Sequence, residues 1–135
     1  MIARSKTWQA FVARGLACAA IAIAMAMVIA TGARAADKPA AAAAKLAQGE
    51  KVFTYWCATC HSAGPGMPGT QALQAKYKGK PPALLLERKD LTAPQIAVFV
   101  RNGVSVMAQF RKTEISDSDL DALTTYIVAT AKAKR

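Results

Sequence analysis

Residues 45–61 read KLAQGEKVFTYWCATCH, and the last five of them, Cys57-Ala58-Thr59-Cys60-His61, decide how the rest of the chain is read. On a helix the two thiols lie about one turn apart, so both reach the same side of a planar macrocycle that carries two vinyl groups. Addition of the thiols to those vinyls makes two thioether bonds, and the histidine that follows is directed to the central iron as proximal ligand; this is the C-x-x-C-H pattern of covalent haem c attachment. His61 is the only histidine in the chain, so nothing competes with it for that position. Ahead of the motif, Leu46, Gly49, Phe53 and Trp56 recur every three or four residues, which places them on one face of a helix running into Cys57.

Other chemistries fit the two cysteines less completely. Trp56-Cys57-x-x-Cys60 also has the form of a thiol oxidoreductase pair, which requires a reactive thiol at a helix N-terminus. Such a pair follows a strand in a βαβ unit, whereas the segment before Cys57 has a helical pattern and the next residue after Cys60 is histidine. Structural zinc takes four ligands, usually Cys or His. Only Cys57, Cys60 and His61 remain beyond residue 35. A plain disulfide leaves His61 unexplained.

The N-terminus sets the compartment. Arg4, Lys6 and Arg14 precede an apolar run from Gly15 to Ala30, followed by Ala33-Arg34-Ala35. A basic segment, an apolar segment and an A-x-A site identify residues 1–35 as a secretory signal peptide, which implies export to the periplasm. An uncleaved anchor is the alternative, because residues 15–33 are uncharged and approach the length of a membrane span. Cleavage removes Cys18 and four of the 18 basic residues but none of the eight acids, leaving a net charge of +6 and no stable membrane insertion. The remaining basic residues are scattered and no base-reading motif accompanies them, which argues against nucleic acid. A rim comprising Lys76, Lys78, Lys80, Arg88, Lys89, Arg111 and Lys112 suits an acidic protein partner instead.

Residues 36–44, with Pro39 and a run of alanines, read as a flexible leader; the domain proper covers residues 45–135. The stretch 64–69 is rich in Gly and Pro and interrupts helix, a short helical piece follows over Thr70 to Tyr77, and Gly79-Lys80-Pro81-Pro82 breaks the chain again. Thr92 and Gln95 form a capping box with Pro94 in the first turn, opening a helix whose buried stripe is Ile96, Phe99 and Val100 and whose stop is Gly103. Ser116 caps a third main helix, with Asp117, Asp119 and Asp121 near its positive end and Leu120, Leu123, Tyr126 and Ile127 on its stripe. No run alternates with period two for long enough to argue a strand. The expected fold is all-α, three main helices around one haem.

The second axial ligand distinguishes a carrier from a catalyst. Beyond residue 35 the only methionines are Met67 and Met107. Met67 stands six residues after His61, and a fully extended link of that length spans roughly 20 Å, which its Pro and Gly turns shorten too far to round the macrocycle. Met107, after the helix stop at Gly103, is free to cross to the opposite face. With His61 and Met107 both on the iron, oxygen and peroxide have no position to occupy and the protein passes electrons. Without Met107, a peroxidase-like or gas-binding haem with an open distal face is the alternative.

Over residues 46–129 the chain resembles class I cytochromes c, on Gly49 and Phe53 ahead of Cys57-x-x-Cys60-His61, on Val100-Arg101-Asn102-Gly103 four residues before Met107, and on Leu120, Leu123, Tyr126 and Ile127. The resemblance implies a small cytochrome c fold in which the first and last helices cross at Gly49 with Phe53 against Tyr126. It implies further that the carbonyl of Pro68, or of Pro65, orients the His61 ring, and that Arg101 hydrogen-bonds a haem propionate. The family usually has proline directly after the axial methionine, where this chain has Ala108. Residues 102–115 are similar to the cytochrome subunits of p-cresol methylhydroxylase and eugenol hydroxylase type flavocytochromes. That likeness implies a flavoprotein dehydrogenase as partner, the general alternative being a terminal oxidase.

Overall fold

The computed structural model describes residues 38–134, so the expected signal peptide at residues 1–35 lies outside the described residues. Helix α1 covers residues 38–61: it is α-helical to residue 52, π-helical over Phe53–Cys57 and α-helical again over Ala58–His61. Helices α2 (Pro68–Tyr77), α3 (Ala93–Asn102) and α4 (Asp117–Ala133) follow, with a single 3-10 turn at Leu85–Glu87 between α2 and α3. Among the described residues the only extended pairing is an isolated bridge between Val104 and Met107. The all-α expectation holds.

Two elements differ from the sequence expectation. Residues 38–44, expected as a flexible leader, are helical with exposed side chains; alanine has the highest helix propensity and needs no core contact to adopt that backbone. The short piece expected over Thr70–Tyr77 is a ten-residue helix beginning at Pro68, so four α-helices stand where three main ones are expected. Proline at the first helical position has no amide hydrogen to leave unsatisfied, and its fixed φ already suits the helix.

The other ends form as the residues dictate. Thr92 and Gln95 make the capping box of α3, with the Thr92 amide donating to Gln95 Oε1 at 2.9 Å, and Gly103 closes the helix at φ 69° while its amide donates to the Phe99 carbonyl. Ser116 Oγ accepts from the Asp119 amide at 3.1 Å, and Asp117 and Asp119 lie in the positive first turn of α4.

The core gathers Val52, Phe53 and Cys57 from α1, Ile96 and Val100 from α3, and Leu120, Leu123 and Ile127 from α4, with Ile115 added from the loop before α4. Ile115, Leu123 and Ile127 are almost completely buried. Phe99, expected in the buried stripe of α3, is 40% exposed. Ile96 and Val100, one turn apart, fill the inward face, and Phe99 lies at its edge, about 60° from Ile96 and about 100° from Val100.

Helices α1 and α4 meet at Gly49. A Cβ there would collide with the Ala122 carbonyl oxygen and stand 2.6 Å from Tyr126 Cβ, so only glycine permits the approach. The Phe53 and Tyr126 rings pack 5.8 Å apart at 52°, and two polar ties hold the same pair of helices, Gln48 Nε2 donating to Asp119 at 2.9 Å and Lys45 paired with Asp121 at 2.6 Å. Gly49→Ala is expected to lower unfolding stability by about 1–3 kcal/mol, the usual cost of overpacking, read from chemical denaturation of the haem-loaded protein.

Candidate functional site

The haem-attachment motif sits at the end of α1, where the helix changes its winding. Over Phe53–Cys57 the backbone is π-helical, and the Ala58 amide donates to the Phe53 carbonyl five residues back. The extra residue in that turn rotates everything after it by most of a helical step relative to the stripe before it. Phe53 and Cys57 are buried, and Cys60, in the short α-helical turn that follows, is exposed. The Ser62 amide then donates to the Ala58 carbonyl and the chain leaves helical geometry.

The two thiols are free and chemically unequal. Burial pushes the Cys57 thiol up to about 12, with the neighbouring Cys60 adding to the rise. The pair is preceded by helix and not by the strand that a thiol oxidoreductase of the βαβ type requires. Among the described residues no group of three or more His, Cys, Asp or Glu side chains is arranged to hold a metal ion.

His61 is half-buried, and its Nδ1 is fully buried without a hydrogen-bond partner. Desolvation holds its pKa below the usual imidazole value and keeps the ring neutral, the form that binds iron. The Nδ1 edge lies against Gly69: a Cβ at that residue would stand 2.6 Å from His61 Cε1 and 2.8 Å from Nδ1. With that edge closed by backbone, Nε2 is the nitrogen available to iron. Two free cysteines at vinyl spacing, a neutral imidazole with one nitrogen enclosed, and a glycine cradle under the ring fit a covalent haem. Cys57 and Cys60 would hold the macrocycle and His61 the iron.

The expected proline contact is absent. Pro68 opens α2, where its carbonyl enters the helical ladder, and neither it nor the Pro65 carbonyl bonds to His61 Nδ1. The segment is held instead by Thr70 Oγ1 donating to the Ser62 carbonyl at 2.9 Å, and by Gly69 against the ring. Sequence reading passes over Gly69 because a glycine in a Gly/Pro-rich stretch signals only a turn.

Met107 is half-buried and packs against the core. It lies in a tight turn closed by Val104 and Met107 amides donating to each other's carbonyls at 3.1 and 2.9 Å. Gly103 at φ 69° starts the turn, and a Cβ there would stand 2.6 Å from the Met107 carbonyl oxygen. Three residues later the Phe110 ring packs edge-on against Trp56 at 5.6 Å, which joins the methionine loop to α1 one residue before Cys57. Met67, the rejected candidate, precedes α2 as its N-cap.

Two arginines of the sequence reading are engaged with protein groups. Arg101, expected at a propionate, donates Nη1 to the Phe110 carbonyl at 3.1 Å and Nη2 to Asp117 at 3.0 Å. Arg88, expected on a docking rim, is buried: it makes a two-pronged pair with Asp90 at 2.8 and 2.7 Å and lies 4.7 Å from the centre of the Tyr77 ring. Its hydrogen bonds hold the Asp90 carboxyl below the usual carboxylate range. Arg111 and Lys112 are exposed but paired with Glu114 and Asp117, so the exposed cations of that rim outside a salt bridge are Lys76, Lys78, Lys80 and Lys89. An open cleft of about 380 Å³ beside α2 takes its walls from residues such as Gly64, Thr70, Gln74 and Leu84, and not from His61 or Met107.

The family model described as cytochrome C oxidase, cbb3-type, subunit III matches residues 44–127. Cytochrome c6 of Cyanidioschyzon merolae is 35% identical over 94 residues, which cover 67% of this chain and 79% of that protein. No solved structure matches the chain. The matched span contains the whole attachment motif, the methionine loop and most of α4, and on these grounds the chain belongs to this family of c-type cytochromes, an electron carrier with covalently bound haem c and not an enzyme.

Proposed function

We propose that this protein is exported to the periplasm, holds its haem iron between His61 and Met107, and carries single electrons from a flavoprotein dehydrogenase that oxidises 4-alkylphenols. The observation that carries the axial assignment is the methionine loop: Met107 is half-buried in a turn that Phe110 and Trp56 tie to the attachment helix. A thioether opposite imidazole raises the haem potential and leaves no open coordination position. Export is supported by the basic, apolar and A-x-A segments of residues 1–35; among the described residues no helix is long and apolar enough to cross a membrane. The flavoprotein partner is supported by the likeness of residues 102–115 to the cytochrome subunits of alkylphenol-oxidising flavocytochromes. Delivery of electrons to a terminal oxidase is a second reading, favoured by the description of the matching family.

Within this scheme the chain's own residues keep water and ligands off the iron. Burial of Cys57 and the neutral state of His61 maintain an apolar setting for the haem, and Lys76, Lys78, Lys80 and Lys89 present positive charge to an approaching acidic partner.

Met107→Ala in protein matured with its haem is expected to abolish the weak far-red absorption of sulfur-ligated oxidised haem and to allow carbon monoxide to bind the reduced form. Retention of both wild-type properties would assign the sixth position to another group. The rate of reduction by the flavoprotein should fall steeply between about 0.01 and 0.15 M ionic strength, over which the screening length contracts from about 30 to about 8 Å. A rate indifferent to salt would remove the lysines from the docking step.

A further inference from the structure

We propose that Arg101 and Asp117 form a clasp that does for the methionine loop what a proline after Met107 would otherwise do, holding the loop in position for ligation. This rests on Met107 as axial ligand. Proline at position 108 would fix φ of that residue from within, and Ala108 imposes no such limit. The restraint must then come from groups outside the turn.

The Val104–Met107 bridge and Gly103 shape the turn but do not fasten it to the rest of the domain. Phe110 does. Its amide donates to the Val100 carbonyl at 2.8 Å and its carbonyl accepts from Arg101 Nη1 at 3.1 Å, so both of its backbone polar groups are tied to α3. The other nitrogen of the same guanidinium donates to Asp117 Oδ1 at 3.0 Å, at the first residue of α4. Arg101 therefore joins α3, the loop and α4 through one rigid planar group, a geometry that lysine cannot reproduce. Asp117 Oδ2 accepts from Lys112 Nζ at 2.7 Å on the far side of the loop.

The two cations are not equal partners. The Arg101 side chain is 21% exposed, against 73% for Lys112, so its bond to the Phe110 carbonyl is partly shielded from water, whereas Asp117, itself 64% exposed, makes solvated bonds to both cations and serves to orient the guanidinium. Removal of the guanidinium leaves the Phe110 carbonyl without its side-chain donor and frees the segment after Met107 to swing about the remaining amide bond. Phe110 also carries the ring that packs on Trp56, next to Cys57, so a loosened Phe110 disturbs the loop at its one aromatic contact with α1.

The test uses full-length, haem-loaded protein and the variants Arg101→Gln, Asp117→Asn and Lys112→Gln. Asp121→Asn is the control on the same helix, since Asp121 pairs with Lys45 and has no contact with the loop. Amide hydrogen exchange at Val104, Met107 and Phe110 reads the loop directly, whatever ligates the iron. Exchange there should accelerate roughly tenfold in Arg101→Gln, the effect of losing hydrogen bonds to a charged group. It should accelerate less in Asp117→Asn, little in Lys112→Gln, and not at all in the control. The far-red band should disappear at lower pH in Arg101→Gln and Asp117→Asn than in wild type.

Unchanged loop exchange in the first two variants overturns the clasp, as does an acceleration in Asp121→Asn equal to that in Asp117→Asn, which would reflect α4 stability alone. A shift in haem potential with unaltered exchange also overturns it, in favour of a propionate contact for Arg101. If Arg101→Gln does not mature, Asp117→Asn, which keeps the arginine, decides the matter by the same exchange. Absence of the far-red band in wild-type protein with haem attached would refute the axial role of Met107, and the exchange comparison would still decide the clasp.

Discussion

The close approach of α1 to α4 at Gly49 governs where the haem-attachment motif stands. No side chain separates the two helices there, so their backbones meet, and the Phe53–Tyr126 ring contact one turn further fixes how α1 is rotated about its axis. Cys57 follows Gly49 by eight residues, roughly 12 Å of helix, so a small change in crossing angle would displace the thiols and His61 together. The π-helical turn at Phe53–Cys57 adds the remaining adjustment. Phe53 and Cys57, four residues apart across it, are both buried, and the exposed Cys60 follows.

The methionine loop is a separate construction. Its turn is built locally, by Gly103 and the Val104–Met107 bridge, but its place in the fold comes from α3, α4 and Trp56. The attachment motif and the methionine loop are thus held by different parts of the core, and the Trp56–Phe110 contact joins them. Haem binding in such a domain completes a core that is thin for its length, since small chains bury a modest fraction of their surface.

Much of this was legible in the residues because the signals were local. The capping box at Thr92 and Gln95, the Ser116 cap, the α4 stripe and the C-x-x-C-H spacing each depend on residues within a turn of one another. The contact at Gly49 came from likeness to class I cytochromes c, since a lone glycine in a helical pattern does not declare a crossing. What escaped depends on partners distant in sequence or on exposure. Phe99 fits the helical stripe as well as Val100 does, and only the position of α4 decides which of them is covered. Ile115 carries no periodic signal, yet the loop delivers it to the centre of the core. Arg88 looked like surface charge until Asp90 and Tyr77 enclosed it. Gly69 reads as a turn residue, and its service to the His61 ring appears only when α2 folds back on the end of α1.

The chemistry all proceeds from the bonding of Cys57 and Cys60. Their thiols differ sharply in burial, and next to them stands a neutral imidazole with one nitrogen sealed off. The most direct measurement is the mass spectrum of the protein recovered from cells that possess the haem attachment machinery, intact and after proteolysis. A mass greater than the polypeptide by one tetrapyrrole, retained under denaturing conditions and located on the peptide containing Cys57 to His61, is the predicted result. Bare polypeptide, or a mass two hydrogens short of the reduced chain with no tetrapyrrole, would contradict the account.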